Sequence, residues 1–144
     1  MQASEHWTNT TAMRVDDEPR DWARAMKLGF RCRCPKCGEG KLFHKFLKSV
    51  DNCAVCGENY THHRADDLPA YLSIVIVGHV MVGGFMMTDL VWPMSNLAHI
   101  AIWAPLTLAT ALGTIQPIKG AVIGLQWANR MHGFGGEHPE PEDR

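Results

Sequence analysis

The sequence predicts a small β zinc ribbon, followed by an α-helical two-span transmembrane hairpin and an interfacial C-terminal helix. Cys34-x-x-Cys37 and Cys53-x-x-Cys56 are separated by 15 residues, within the range of four-cysteine metal sites. Leu68 to Ile118 is a stretch of 51 residues whose only formal charge is Asp89. That run is too long to serve as the core of so small a soluble domain. Beyond Pro117 the pattern turns amphipathic.

Composition excludes more than it assigns. The chain has 144 residues and a formal net charge of −1, so no global field favours nucleic acid or acidic substrates. All five cysteines lie between Cys32 and Cys56. Paired CxxC spacing with one cysteine left over suits metal binding in a reducing compartment better than a disulfide framework. The first 20 residues are polar and have no apolar h-region, so they do not read as a secretory signal. No P-loop, GxSxG, HExxH or paired-carboxylate arrangement is present, and the expectation is a protein that is not an enzyme and has no small-molecule substrate.

Residues 1–30 read as a flexible N-terminal arm, in which 21–30 (DWARAMKLGF) can form a short helix with Trp22, Ala25, Met26 and Gly29 on one side. Residues 31–65 are expected to be the zinc ribbon, with a hairpin strand in 41–50 (KLFHKFLKSV), where apolar and basic residues alternate. That module is too small to bury a core of its own, so a metal is expected to hold it together.

Residues 66–118 read as the transmembrane hairpin. Leu68–Thr88 and Ser95–Ile115 each run 21 residues without a charge, and a helical span needs about 20. Gly78, Gly83 and Gly84 let a neighbouring helix approach closely. Asp66, Asp67 and Pro69 suit the start of a helix, and Tyr71 and Trp92 suit the membrane interface. Pro93 breaks the chain in the turn, and Pro105 predicts a kink in the second span. Residues 119–144 are expected to be an amphipathic interfacial segment and a disordered tail from Gly133. Ile118, Val122 and Leu125 fall at helical spacing, Lys119, Gln126 and Arg130 are polar, and Trp127 is an anchor.

Orientation follows from the basic residues. Lys41, Lys45, Lys48 and Arg64 precede the first span and Lys119 and Arg130 follow the second, while the connecting turn has no Lys or Arg. The positive-inside rule then places both termini and the ribbon in the cytoplasm and the turn on the far side of the membrane.

Cys34, Cys37, Cys53 and Cys56 are the expected ligands of a structural Zn2+, since zinc favours four thiolates at about 2.3 Å and each tight knuckle supplies two. Gly38 and Gly57, each following the second cysteine of a pair, let the backbone turn there. Lys36 and Lys41 can offset the charge of the cluster. Iron in the same thiolates and a dithiol redox pair are the alternatives, and Cys32 is read as a bystander. His79 and His99 form a candidate intramembrane polar site, because ionisable residues at that depth face a partner or a cavity. The plain version is a neutral imidazole bonded to the second helix. The sharper version adds Met86, Met87 and Met94, whose thioethers suit Cu(I), or a haem.

From Cys34 onward the order CPKCGEGKLF, CAVCGENY, ADDLPAYL, two spans, Pro117-Ile118-Lys119-Gly120 and Leu125-Gln126-Trp127 resembles a bacterial family. It is the membrane zinc-ribbon family known as domain of unknown function number nine-eight-three. The resemblance implies an inner-membrane protein with cytoplasmic zinc and a link to respiratory oxidase assembly. The family has no established activity, and only the four cysteines carry over. The expected role is a non-enzymatic scaffold or assembly factor in the lipid bilayer, bound to a larger membrane-protein complex. The alternative is a metal- or redox-handling membrane protein that uses copper or haem at the intramembrane His and Met residues. Nucleic acid is not an expected partner, because no aromatic-basic face is present.

Overall fold

The structure, a computed structural model, describes residues 19–65 and 67–134. Expectations for residues 1–18, for Asp66 and for residues 135–144 lie outside them. In chain order the elements are α1 (Trp22–Phe30), β1 (Phe43–Lys45), β2 (Lys48–Ser49), α2 (Leu68–Val91) and α3 (Asn96–Ala128), with a 3₁₀ turn at Met131–Gly133.

The helix expected near residues 21–30 forms, but it is not part of a loose arm. The Asp21 carboxylate accepts from the amides of Ala23 and Arg24 and caps it. Ala25 and Gly29, four residues apart on one face, are buried against α3. Trp22 is exposed. The packing is close because Gly29 and Ala25 meet Gly120 and Gly124, another pair four apart, and no side chain keeps the two backbones apart.

β1 and β2 pair antiparallel, Phe43 opposite Ser49 and Lys45 opposite Lys48, with an irregularity between Phe43 and Lys45. Two strands this short are marginal alone. The ribbon is stabilised from outside: Leu42, Phe43 and Tyr60 share one buried core with Ala25 of α1 and with Val122, Ile123 and Trp127 of α3. Each large side chain in such a core contributes roughly 1.5–3 kcal/mol. The expectation that only a metal holds the ribbon is thus corrected, because the small module shares the core of its neighbours. Phe134 joins this core and sits 6.2 Å from the Tyr60 ring, so the first residues of the expected tail are packed.

α2 and α3 are long and apolar enough to cross a membrane. Only 11% and 6% of their most apolar windows are buried, the reverse of a core helix in a soluble protein. α2 has Pro69 in its first turn, while the Asp67 side chain makes no capping bond. The chain turns through residues 92–95, and Ser95 caps α3. Thr107, Thr110 and Thr114 return their hydroxyl protons to carbonyls of the preceding turn, leaving no donor to an apolar environment.

The separate interfacial helix beyond Pro117 does not exist. α3 is one helix of 33 residues with Pro105 and Pro117 inside it. Each proline removes a single backbone donor, and beyond Pro117 packing against the ribbon and α1 holds the helix. Polar residues assigned to a solvent or headgroup face instead grip the ribbon. Lys119 donates to the Leu47 carbonyl at 2.9 Å and Gln126 to the Arg64 carbonyl at 2.9 Å. At about 1.5 Å per residue, α3 is roughly 50 Å long and α2 roughly 36 Å. The excess of α3 is the platform that α1 and the ribbon share.

Candidate metal centre

The two cysteine knuckles are built alike. In the first, Arg33 bridges Lys41, the Cys34 amide donates to the Gly40 carbonyl at 2.8 Å, and the Gly38 amide donates to the Cys34 carbonyl at 2.8 Å. In the second, Asn52 bridges Asn59, the Cys53 amide donates to Glu58 at 2.8 Å, and the Gly57 amide donates to Cys53 at 2.9 Å. Gly38 and Gly57 lie at φ +79° and +72°, a region that a Cβ disfavours. Both expected turn glycines are therefore required by conformation. Gly40 is required by space, since a Cβ there would run into the Cys53 sulfur. Its role was not visible in the sequence because it is set by the opposite knuckle.

The knuckles bring the sulfurs of Cys34, Cys37, Cys53 and Cys56 within 4.8 Å of one another. Cys34 and Cys56 are 3.6 Å apart, and Cys37 and Cys53 are 3.8 Å apart. A tetrahedron of thiolates about 2.3 Å from a central ion has edges of about 3.8 Å. These separations fit a metal ion and are far longer than the roughly 2.05 Å of a disulfide, and all five cysteines are free thiols. Cys32 lies outside the group, half-buried, and burial pushes its thiol up.

The protons of the cluster are unevenly held. Amide donors at Gly40 and Glu39 lower the Cys37 thiol to about 6. Burial and the neighbouring sulfurs raise Cys56 to about 12, and burial raises Cys34. Four negative sulfurs at this spacing would repel one another. A dication in their midst removes that conflict.

A protein-family model, "Protein of unknown function (DUF983)", matches residues 43–127. The chain belongs to that family. The match takes in Cys53, Cys56, α2 and nearly all of α3, while Cys34 and Cys37 lie ahead of it. The first knuckle is joined to the second by geometry. No curated protein and no solved structure matches the chain.

In this DUF983 member the cysteine cluster is tied to α3 by a further set of contacts. Glu58 accepts from the Trp127 indole at 2.8 Å and from Lys36 at 2.7 Å. Lys36, expected to offset the sulfur charge, is thus committed to Glu58. The Arg20 guanidinium stacks on the Trp127 ring at 4.4 Å and donates to the Trp127 carbonyl at 2.7 Å. Tyr60, 1% exposed, places its hydroxyl 2.8 Å from the Cys34 sulfur, where it can donate to a thiolate, and burial holds its own proton firmly in place. Tyr60→Phe is expected to weaken metal affinity tenfold to hundredfold, the usual loss when such an outer partner is removed, with the ribbon still folded. Competition with a chromogenic chelator measures this. An unchanged affinity would remove Tyr60 from the centre's support.

His79 and His99 are not brought together. His79 is exposed on α2 and its Nδ1 lies 2.7 Å from the Val75 carbonyl of its own helix, so the expected bond to the second helix is not made. His99 is 3% exposed, packed edge-on against Phe85 at 5.0 Å, with Nε2 3.8 Å from Asp89. Phe85 lies six residues beyond His79, about 9 Å along the helix axis. Among the described residues, the four cysteines are the group of donors placed to hold a metal ion.

Proposed function

We propose that this protein is a non-enzymatic scaffold or assembly factor of the inner membrane, in which a structural Zn2+ held by Cys34, Cys37, Cys53 and Cys56 fixes a cytoplasmic head onto a membrane hairpin. The observation that carries this reading is α3 itself, a single helix whose exposed apolar length becomes, at its far end, the buried seat of the four-cysteine ribbon. Zinc in four thiolates supplies rigidity and no open coordination position, which suits a structural centre better than a catalytic one. A hydrocarbon core of about 30 Å takes about 20 residues of α3, leaving the rest beyond the bilayer to carry the head.

The hairpin presents a face for a partner. A Cβ at Gly78 or Gly83 would meet nothing within 4 Å, so these glycines leave room for a helix from outside the chain. Gly84 is different, since the Trp103 ring already covers it. The partner this reading requires is a larger membrane complex, with respiratory oxidase subunits as the first to look for.

Three measurements test the reading. Protein purified from membranes should carry one zinc per chain without copper or haem; copper or haem in its place favours a metal-handling protein. Reporter fusions after Asn52 and at the C-terminus should both read cytoplasmic and one at Ser95 periplasmic. Opposite sides for the first two would overturn the hairpin. Gly83→Leu should abolish co-purification with the partner and His79→Leu should not, and the reverse order would move function to the histidine.

A further inference from the structure

On the reading that α2 and α3 span the bilayer, we infer that the tip of the β1–β2 hairpin and the groove beside it form a site for one anionic phospholipid. The groove has a volume of about 450 Å3 and runs between α2 and α3, with Phe46 and Leu47 of the tip at one end, Ser73 and Ile74 of α2 along it, and Thr107 and Ile115 of α3 opposite. It is almost wholly apolar, as an acyl chain requires, and lies at the end of the hairpin where the ribbon sits.

Three features point to a lipid rather than to another apolar surface. Ser73 is 5% exposed, lines the groove, and its hydroxyl has no hydrogen-bond partner. A buried hydroxyl without a partner is costly, and an acyl ester carbonyl in the groove would accept its proton. Ser73 falls five residues into α2, about 8 Å below its start, near the depth of glycerol esters under headgroups.

The second feature is charge. Lys45 and Lys48 are cross-strand partners, both exposed, directly flanking Phe46 and Leu47. Neither has an ion-pair partner among the described residues. Like charges placed opposite each other repel, and a phosphodiester above the groove would bridge them. The third feature is that the tip is held in place. Leu47 adopts φ +59°, and the Lys119 ammonium donates to its carbonyl at 2.9 Å, pinning the tip to α3. Phe46 is 56% exposed at that position, a ring suited to the headgroup boundary.

The test is native mass spectrometry of the full chain in nanodiscs of mixed phosphatidylglycerol and phosphatidylcholine. The wild-type protein should leave the nanodisc with one phosphatidylglycerol in preference to phosphatidylcholine. K45Q/K48Q should lose that preference by roughly 30-fold, as two juxtamembrane cations are removed. Ser73→Leu, which fills the groove, should release both lipids. Equal retention of the two lipids by the wild type, or a preference untouched by K45Q/K48Q, would overturn the site. A chain that does not enter nanodiscs or fractionate with membranes overturns the membrane reading instead, so the two failures are distinct.

Discussion

Cys56→Ser is expected to abolish stoichiometric zinc and to unfold the two cysteine knuckles while the rest of the ribbon and the long helices remain. Structural zinc sites in small peptides bind with roughly 10–16 kcal/mol, and that energy is folding energy where no other core exists. Here another core does exist. Leu42, Phe43 and Tyr60 rest on Val122, Ile123 and Trp127, and α3 does not depend on the metal for its backbone bonds. The loss should therefore be confined to the two knuckles, residues 34–40 and 53–59. Zinc should fall from one per chain to below about a tenth, amide exchange protection should vanish at Cys34, Gly38, Cys53 and Gly57 but persist at Leu42, and far-ultraviolet helix content should change little. Cys32→Ser should keep both zinc and protection, because Cys32 stands outside the sulfur cluster. Zinc lost from the Cys32 variant and kept in the Cys56 variant would overturn the ligand assignment. Global loss of helix in Cys56→Ser would mean that the head nucleates the hairpin.

Some of this was legible in the residues and some was not, for physical reasons. The CxxC pairs announce themselves because knuckle geometry is local: two cysteines three apart and a glycine after them suffice to aim two sulfurs at one point. The apolar runs announce α2 and the first two-thirds of α3 because span length is a property of composition. The course beyond Pro117 was not legible. Ile118, Val122 and Leu125 give the same periodicity whether they face lipid headgroups or a protein core, and Lys119 and Gln126 look like a solvated face until the ribbon carbonyls they bond are in view. Pro117 added to the misreading, since a proline stops a helix only where nothing else holds the turn.

The histidines show the same limit from another side. Hydropathy places His79 and His99 within apolar runs but carries no information about azimuth on the helix. In the fold one projects outward and the other is enclosed beside Phe85. The glycines divide likewise: those singled out in α2 mostly face open space, while the contact between α1 and α3 falls on Gly29, Gly120 and Gly124. The pairs Ala25/Gly29 and Gly120/Gly124 are the small-x-x-x-small signal that could have revealed that crossing.

Gly120→Leu is accordingly expected to be the most disruptive single change outside the metal centre. A Cβ at this position would run into the carbonyl of Gly29, and the reverse substitution meets the carbonyl of Gly120. Overpacking usually costs about 1–3 kcal/mol because flexible side chains move aside. Here the obstacle is backbone, which can yield only if α1 lifts away, so the cost should reach at least about 3 kcal/mol. On a domain of this size that is a fall in Tm on the order of 10 °C. Lifting α1 also removes Ala25 from the shared core and disturbs the seat of Trp127, whose indole is bonded to Glu58 beside the second knuckle. The expected signature is early proteolysis within residues 22–30 together with weakened zinc retention. Gly83→Leu supplies the contrast, since its Cβ meets open space and its effect on the isolated chain should lie within about 1 kcal/mol of zero. Thermal unfolding of the two variants in the same detergent compares them directly. A Gly120→Leu protein as stable as Gly83→Leu, with α1 still protected, would show that the close crossing of α1 and α3 does not hold the head to its platform.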